Sequence, residues 1–339
     1  METIKISDND VVLTGDRPTG KLHLGHYVGS LQNRILLQDK VKTCFYEVAD
    51  IQALTDNASN PQKVRDNVFE IAADNLAAGV DPKKTTFFIQ SQVPEIAEIT
   101  VIFLNLVTLA RLKRNPTVKN EMKQKNYGDD VPVGFLSYPV SQAADILFCK
   151  SNIIPVGDDQ LPQIEQRNEI VEKFNRIYGK TFPKVEPFLS KFPRLVGIDG
   201  NAKASKSLGN AIFLDDSFSE IEKKVMQMYT DPNHIHLNDP GKIKGNVVFS
   251  YLDVFDPDKK EIEKLKKQYQ KGGVGDVVMK KRLISVLDTL ISPMRNRKKE
   301  LEKNPEYVFE VLKEGTERAR EIARQTMKEV RSKIKIDYF

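Results

Sequence analysis

The sequence predicts an α/β fold: a parallel sheet within residues 1–216, followed by an all-α domain in residues 217–339. In the first part, short apolar runs alternate with longer helical patterns, which is typical of a parallel sheet with helical crossovers. After residue 217 the strand patterns fade, and charged segments with helical spacing take over. The length of 339 residues also exceeds the size at which a single hydrophobic core usually stops growing.

Four short segments rich in apolar residues are the predicted strands. They cover residues 11–14, which end at Gly15, and residues 44–48, 85–89 and 153–156. Helical spacing follows the first strand at Val28, Leu31 and Ile35, and a longer helical pattern covers residues 62–79. Ligands of parallel sheets bind at the carboxyl ends of the strands, so functional residues are expected just after these segments.

The C-terminal part is predicted to be helical over residues 261–270, 280–290 and a long final segment. Asn304 and Pro305 are a capping residue and a first-turn proline, which mark the start of that last helix. Its apolar stripe runs from Val308 to Val330, with Lys and Arg on the opposite side. Gly315 lies within the stripe and is expected to bend the helix.

Composition excludes several classes of protein. The chain has two cysteines, Cys44 and Cys149, too few for a disulfide framework or a four-thiolate metal site. They predict reduced thiols in a cytoplasmic protein. The longest apolar stretch, residues 99–110, is too short for a bilayer, and the N-terminus lacks the apolar segment of a signal peptide, so we expect no membrane association.

Charge is unevenly distributed along the chain. The net charge is +5, and residues 217–339 hold 26 Lys and Arg against 20 Asp and Glu. The whole positive excess therefore lies in the C-terminal part. This distribution suits contact with a polyanion, although a solvated helical surface would have the same composition.

The segment between the first strand and its helix carries the first candidate motif. Gly15 and Gly20 permit tight turns, and Gly25 has no side chain to block a flat ring lying on the backbone. His23 and His26 can donate hydrogen bonds to phosphate oxygens at the positive end of the helix. Half of a zinc site and plain polar residues at a helix start are two further interpretations of the same residues.

Residues 200–210 carry the second candidate motif. Lys203 and Lys206 lie three positions apart among small residues with glycine at both ends, as in a loop that closes over a substrate. Two ammonium groups there could stabilise the charge that develops during displacement at phosphorus. Taken alone, an exposed lysine loop explains the pattern equally well.

Together the two motifs resemble the signatures of the class I aminoacyl-tRNA synthetases. This chain has His-Leu-Gly-His at 23–26 and Lys-Ala-Ser-Lys-Ser at 203–207, where the class has Ile and Met in place of Leu24 and Ala204. Both departures keep the functional side chains. The resemblance implies a Rossmann-like catalytic domain over residues 1–216, which includes a helical insertion, and a helical anticodon-binding domain over residues 217–339.

Over nearly its whole length the chain resembles the tryptophanyl-tRNA synthetase family, through residues 14–20, 88–94, 138–139, 143–146 and 155–160. The resemblance implies that Asp145 accepts the indole N–H and that Tyr138 and Gln160 hold the amino and carboxylate groups of tryptophan. It assigns catalysis to His23, His26, Lys203 and Lys206. The positions implied to bind ATP are Arg17, Pro18, Thr19, Gly25, His26, Gly157, Asp158, Asp159, Leu195, Lys203, Ala204, Ser205, Lys206 and Ser207.

One departure concerns the amino-acid pocket. Gln142 stands where many members of the family have Met, and Gln142 with Asp145 is similar to the Gln and Asp with which tyrosyl-tRNA synthetases hold a phenol. Tyrosine is therefore the second candidate substrate. A small nucleotidyltransferase or a non-catalytic synthetase paralogue would also fit part of the pattern, although such paralogues often lose motif residues that this chain retains.

The resemblance also implies the reaction and the partners. We expect ATP-dependent attachment of tryptophan to its tRNA through an adenylate, with ATP as a substrate and Mg²⁺ held through the ATP phosphates. We expect no metal site built from protein ligands and no DNA binding. A cytoplasmic homodimer that binds tryptophan tRNA through its basic C-terminal helices completes the expectation.

Overall fold

The computed structural model describes residues 5–128, 130–157, 160–190, 192, 195–201, 203–206 and 208–338. One parallel sheet has the strand order β3-β2-β1-β4-β5. Its strands are β1 (Val11–Asp16), β2 (Thr43–Val48), β3 (Thr85–Ile89), β4 (Ile153–Val156) and β5 (Glu186–Leu189). The four predicted strands are confirmed. Strand β5 was not predicted, because it is a four-residue edge strand in which no residue is fully buried, so its apolar pattern is weak.

Helices surround the sheet and make up most of the other described residues. Those of the first 216 residues are α1 (Leu24–His26), a π-helical turn (Tyr27–Leu31), α2 (Gln32–Leu37), α3 (Asp50–Asn57), α4 (Pro61–Ala78), a 3₁₀ turn (Gln90–Gln92), α5 (Pro94–Leu104), α6 (Leu109–Arg114), α7 (Pro116–Gln124), α8 (Val133–Leu147) and α9 (Leu161–Tyr178). Those that follow are α10 (Phe218–Met226), α11 (Val247–Phe255), α12 (Lys259–Lys271), α13 (Asp276–Lys303) and α14 (Pro305–Ile334). The predicted C-terminal helices are confirmed as α12, α13 and α14.

Successive strand residues face opposite sides of the sheet, so each face has its own core. Tyr46 and Phe87 lie in the core shared with α4 and α13. Phe45 and Phe88 lie in the core shared with α5, α8 and the end of α14. Both cores include residues beyond 217, so apolar packing is continuous across residue 216, and the division into two domains remains a proposal. None of the helices in the described ranges combines the length and apolar character of a membrane span.

Gly315 lies where α14 crosses the edge strand β3. The Thr316 hydroxyl accepts the backbone N–H of Ile89 at 3.1 Å. A Cβ placed on Gly315 would lie 1.9 Å from the carbonyl oxygen of Phe87. The sequence predicted a bend at this glycine. In the structure the missing side chain permits direct packing of the helix backbone on the strand, and α14 continues as one element to Ile334.

Gly315→Ala is therefore expected to reduce the free energy of unfolding by about 1–3 kcal/mol, because the methyl group must push α14 away from β3. Gly134→Ala is the matched control, since Gly134 is also helical and has no atom within 4 Å of an added Cβ. Denaturant titration of both variants measures the difference. Equal losses of stability would contradict the role assigned to the crossing.

Candidate active site

The two motif histidines cap the helix that follows β1. His23 Nδ1 accepts the N–H of Gly25 at 3.0 Å, and His26 Nδ1 accepts the N–H of His23 at 3.2 Å. The two ring centroids are 3.9 Å apart. Since both Nδ1 atoms accept, each neutral ring carries its proton on Nε2, which is the donor for a ligand.

Burial lowers the pKa of His23 to about 2 and that of His26 to about 4. The ammonium groups of Lys203 and Lys206 act in the same direction on both rings. Both histidines are therefore neutral at pH 7. They can orient phosphate oxygens as hydrogen-bond donors, and the positive charge of the site comes from lysine.

Gly25 is required by the histidine pair itself. A Cβ on Gly25 would lie 2.8 Å from Cε1 of His23, closer than side chains approach one another. The expectation from the sequence was that the bare backbone of Gly25 accommodates a ligand ring. In the structure the His23 imidazole also needs the space beside Gly25, so a side chain at position 25 would displace the first motif residue.

The chain that follows the second motif pairs with the first motif. Leu24 donates its N–H to the Ile212 carbonyl at 2.9 Å, and Leu214 donates to the Leu22 carbonyl at 3.1 Å. The Lys206 ammonium donates to the carbonyl of Gly20 at 2.5 Å. Segments about 180 residues apart are thereby placed at one end of β1.

The two motif lysines occupy different environments. Lys203 is exposed and makes a backbone bridge to Val196. Lys206 is half-buried, and burial lowers its pKa to about 8. Ala204 is buried, and its N–H donates to the Leu195 carbonyl at 3.0 Å.

The buried side chain of Asn210 orders the motif loop. Its Oδ1 accepts the Ser205 N–H at 2.8 Å, and its amide donates to Asp199 at 3.1 Å. Ser207, assigned to ATP binding from the sequence, lies outside the described residues. In the sequence Asn210 marked only the end of the segment, and its role in the loop was not predicted.

A buried ion pair supports the end of β1. Arg34 forms two hydrogen bonds to the Asp16 carboxylate, at 2.5 and 3.0 Å, and a third to Asn75 at 2.8 Å. Burial alone would raise the pKa of Asp16, but the guanidinium holds it well below its usual range. This pair was not predicted, because Arg34 has the polarity of an ordinary surface residue.

The loop after Asp16 holds three of the residues assigned to ATP. Arg17 donates to Asp56 of α3 at 2.7 Å, and Thr19 donates its N–H to the Arg17 carbonyl at 2.8 Å. Pro18 is buried between them. Gly157 accepts the N–H of Gln160 at 3.0 Å, and the intervening Asp158 and Asp159 lie outside the described residues.

Three residues assigned to the amino acid lie along α8 at helical spacing: Tyr138, Gln142 and Asp145. Asp145 is 1% exposed, and its Oδ1 accepts the side-chain amide of Gln90 at 2.7 Å. Its Oδ2 and the Gln142 Oε1 are buried and have no hydrogen-bond partner among the described residues. Buried acceptors without partners are costly, so they mark a place where a ligand donor would bind.

Helix α9 supplies the facing side. Gln163 donates to the Tyr138 hydroxyl at 2.9 Å, and Gln160 directly precedes the helix. One turn beyond Gln163, Arg167 is 3% exposed, and its Nε and Nη1 have no partner within the described ranges. The spacing of positions 160, 163 and 167 indicates one helix face, and this periodicity is the signal that could have identified Arg167 from the sequence.

A second buried carboxyl group accompanies Asp145. Glu47 of β2 is 4% exposed and lies beside Asp145, whose charge adds to burial in favouring the protonated form of Glu47. Burial raises the pKa of both carboxyl groups, that of Glu47 well above its usual value, while the Gln90 amide and the Arg167 charge favour the ionised form of Asp145. Asp145 is therefore the acceptor of this cluster.

Comparison with known proteins gives consistent matches. A family model described as tRNA synthetases class I (W and Y) matches residues 7–292. The tryptophan–tRNA ligase of Clostridium longisporum is 55% identical over 334 residues, covering 97% of this chain and 98% of that protein. The corresponding ligase of Lactococcus lactis is 55% identical over 337 residues, covering 97% and 98%.

A solved structure is similar over the same extent. Tryptophanyl-tRNA synthetase from Campylobacter jejuni, complexed with ADP and tryptophan, is 31% identical, with a TM-score of 0.82 over 95% of this chain and 99% of that one. These matches cover nearly the whole chain and agree with the fold described above. The chain therefore belongs to the class I tRNA synthetases for tryptophan and tyrosine, and within them to the tryptophan–tRNA ligase family.

Proposed function

We propose that this chain attaches L-tryptophan to its tRNA in two steps. The tryptophan carboxylate oxygen forms a bond to the α-phosphorus of ATP, and the bond to the β-phosphate oxygen breaks, which gives tryptophanyl-adenylate and pyrophosphate. The terminal ribose hydroxyl of the tRNA then attacks the adenylate carbonyl, loses its proton and releases AMP. Positioning and electrostatic stabilisation account for most of such catalysis.

The observation that carries this proposal is the junction of the two motifs at the carboxyl end of β1. The Lys206 contact with Gly20 and the backbone pairing of residues 22–24 with 212–214 bring His23, His26 and Lys206 together. Neutral Nε2–H donors and a lysine ammonium are suited to the oxygens of a triphosphate. We assign orientation of the phosphates to the histidines, and stabilisation of the departing pyrophosphate to Lys206 and Lys203.

Tryptophan is assigned to the pocket between α8 and α9. Indole is a donor without an acceptor, and the open Oδ2 of Asp145 is a buried acceptor. Tyr138 and Gln160 lie toward the start of α9, where the amino and carboxylate groups would be held. Tyrosine is less consistent with the comparisons, because the similar ligases are named for tryptophan.

Mg²⁺ belongs to the proposal as a partner of ATP. The described residues contain no cluster of three His, Cys, Asp or Glu side chains that could hold a metal ion. The motif side chains are hydrogen-bond donors and ammonium groups, so an ion here fits ligation by phosphate oxygens and water. Bound in that way, it would neutralise phosphate charge.

The remaining partners are proposed on composition and surface chemistry. The Lys-rich face of α12 and the other basic helices after residue 217 suit the tRNA backbone, with no DNA partner. A homodimer is supported by exposed apolar side chains at Val101, Leu104 and Leu109. A cytoplasmic location agrees with Cys44 and Cys149, which are both buried and unpaired.

Pyrophosphate exchange with each of the twenty amino acids tests the function in one experiment. Exchange that depends on tryptophan, followed by charging of tryptophan tRNA, is the expected result. Exchange with tyrosine would reassign the pocket, and tryptophan binding without exchange would identify a non-catalytic paralogue. Nucleotidyl transfer to another acceptor would reject the synthetase assignment.

The value of kcat/KM for ATP is expected to fall as pH rises through about 8, the pKa to which burial lowers Lys206. Below this pH the ammonium carries its charge, above it the charge is lost, and kcat/KM reports the ionisation of the free enzyme. Lys206→Arg keeps a charge throughout this range. The variant should therefore lose the fall near pH 8, and an unchanged pH profile would assign the ionisation to another group.

A further inference from the structure

We propose that Lys298 of α13 is a positioning residue that holds both signature segments in register through three carboxylates. These carboxylates, Glu70, Asp74 and Asp215, together with Lys298 are called the Lys298 cluster below. The proposal rests on the ATP-binding role given above to the two segments. It assigns to a helix of the C-terminal part a direct structural effect on that site.

The cluster is buried and closely spaced. Lys298 is 2% exposed, and its Nζ lies 2.7 Å from Asp74 Oδ1 and 3.0 Å from both Glu70 Oε2 and Asp215 Oδ2. Glu70 and Asp74 are one turn apart on α4, and Asp215 follows the second motif. The three N–H groups of one ammonium therefore donate to carboxylates on two separate segments, α4 and the chain that follows the second motif.

Asp74 connects the cluster to the first motif. Its second oxygen, Oδ2, accepts the backbone N–H of Leu22 at 2.6 Å. Leu22 directly precedes His23, and its carbonyl accepts the N–H of Leu214. The orientation of this one carboxylate, fixed by Lys298, thus sets the position of the backbone that carries the first histidine.

Asp215 connects the same cluster to the second motif. It follows Leu214 directly, so it fixes the end of the segment that pairs with residues 22–24. Its Oδ2 also accepts from Lys21 at 2.6 Å. Lys298 and Lys21 thus donate to the same oxygen of this carboxylate, and Lys298 of α13 is linked to both motif segments through Asp74 and Asp215.

Loss of Lys298 would leave three neighbouring carboxylates, of which Asp215 keeps its ion pair with Lys21 within the described part of the chain. Breaking a buried pair from one side leaves charge uncompensated, and mutual repulsion would separate Asp74 from Asp215. Asp74 accepts the Leu22 N–H, and Asp215 directly follows Leu214. Their separation would therefore weaken the backbone pairing of Leu22 with Leu214. The tryptophan pocket has no member in the cluster, so the ATP site should be affected selectively.

The test compares Lys298→Met with Lys280→Met, a matched control on the same helix. Lys280 is also buried, but its Nζ donates to the Met226 carbonyl, and it lies outside both motifs. Lys298→Met should raise KM for ATP and lower kcat/KM for ATP by about tenfold or more in pyrophosphate exchange. Its tryptophan affinity and the kinetics of Lys280→Met should stay near wild-type values.

Asp215→Asn keeps the test informative if Lys298→Met does not fold, because it removes one partly exposed carboxylate. It should raise KM for ATP in the same direction, and Lys298→Arg should recover part of the loss. An unchanged KM for ATP in Lys298→Met or Asp215→Asn, or equal loss of tryptophan affinity, would overturn the inference. Pyrophosphate exchange by the wild-type protein with tryptophan tests the proposed function separately. Its absence would reject that function, whereas unchanged ATP kinetics in the variants would reject only the role of the Lys298 cluster.

Discussion

Lys206→Ala is expected to slow tryptophanyl-adenylate formation by about 100- to 1000-fold, the loss typical when one preorganised charge or donor is removed from a transition state. Lys206 reaches the first motif at Gly20, and its charge lies in a partly buried position where water screens it weakly. Tryptophan affinity should change little, because the pocket around Asp145 does not include this lysine. Single-turnover formation of adenylate measures the effect.

Lys84→Ala is the control for loss of a lysine as such. Lys84 precedes β3, so it lies at the amino ends of the strands, and it pairs with Asp39 on the surface. Its removal should leave adenylate formation at the wild-type rate. If Lys206→Ala were as active as Lys84→Ala, Lys206 would have no part in the chemistry.

Asp145→Asn is expected to weaken tryptophan binding by about 10- to 100-fold, the loss of a hydrogen bond to a charged acceptor. Gln90 needs an acceptor at the Oδ1 position, so the asparagine oxygen should turn toward it. The asparagine NH₂ would then face the indole N–H, donor against donor. ATP binding should be unaffected, because Asp145 lies on α8, away from the motif junction.

Tryptophan fluorescence measures this binding directly, since the chain contains no tryptophan of its own. The emission of bound tryptophan is therefore measured against a protein background that comes from tyrosine. Gln142→Met is a companion variant at the same pocket. The resemblance to the family, many of whose members have Met here, implies that this change is tolerated when the substrate is tryptophan. Equal loss of tryptophan and ATP affinity in Asp145→Asn would indicate a structural role instead.

The secondary structure was largely predictable because its signals are local. Strands β1 to β4 are short apolar or β-branched runs, and α14 begins at Asn304 and Pro305, where the capping side chain bonds to its own helix. Helical and strand periodicity arise from neighbouring residues, so they can be read along the chain. Strand β5 escaped prediction because it buries none of its four residues fully, and its place at the sheet edge is a property of the whole sheet.

The candidate site was predicted in part. The motif residues His23, His26, Lys203 and Lys206 have recognisable local spacing, and Asp145 was assigned through the resemblance to a family. Glu47 lacks any such pattern, and Arg167 is marked only by its helical spacing from Gln163. Each is polar in a segment that would be equally well formed with the side chain in water, and burial beside Asp145 gives them their role.

By itself the sequence determined the alternation of strands and helices, the two motifs and the surplus of positive charge after residue 217. The tertiary structure alone decided which distant groups meet. It placed Lys206 on Gly20, α14 on β3 at Gly315, and Lys298 against carboxylates that precede it by 228, 224 and 83 positions. Patterns along a chain record forces between near neighbours, whereas a buried charge finds its partners only when the packed core excludes water.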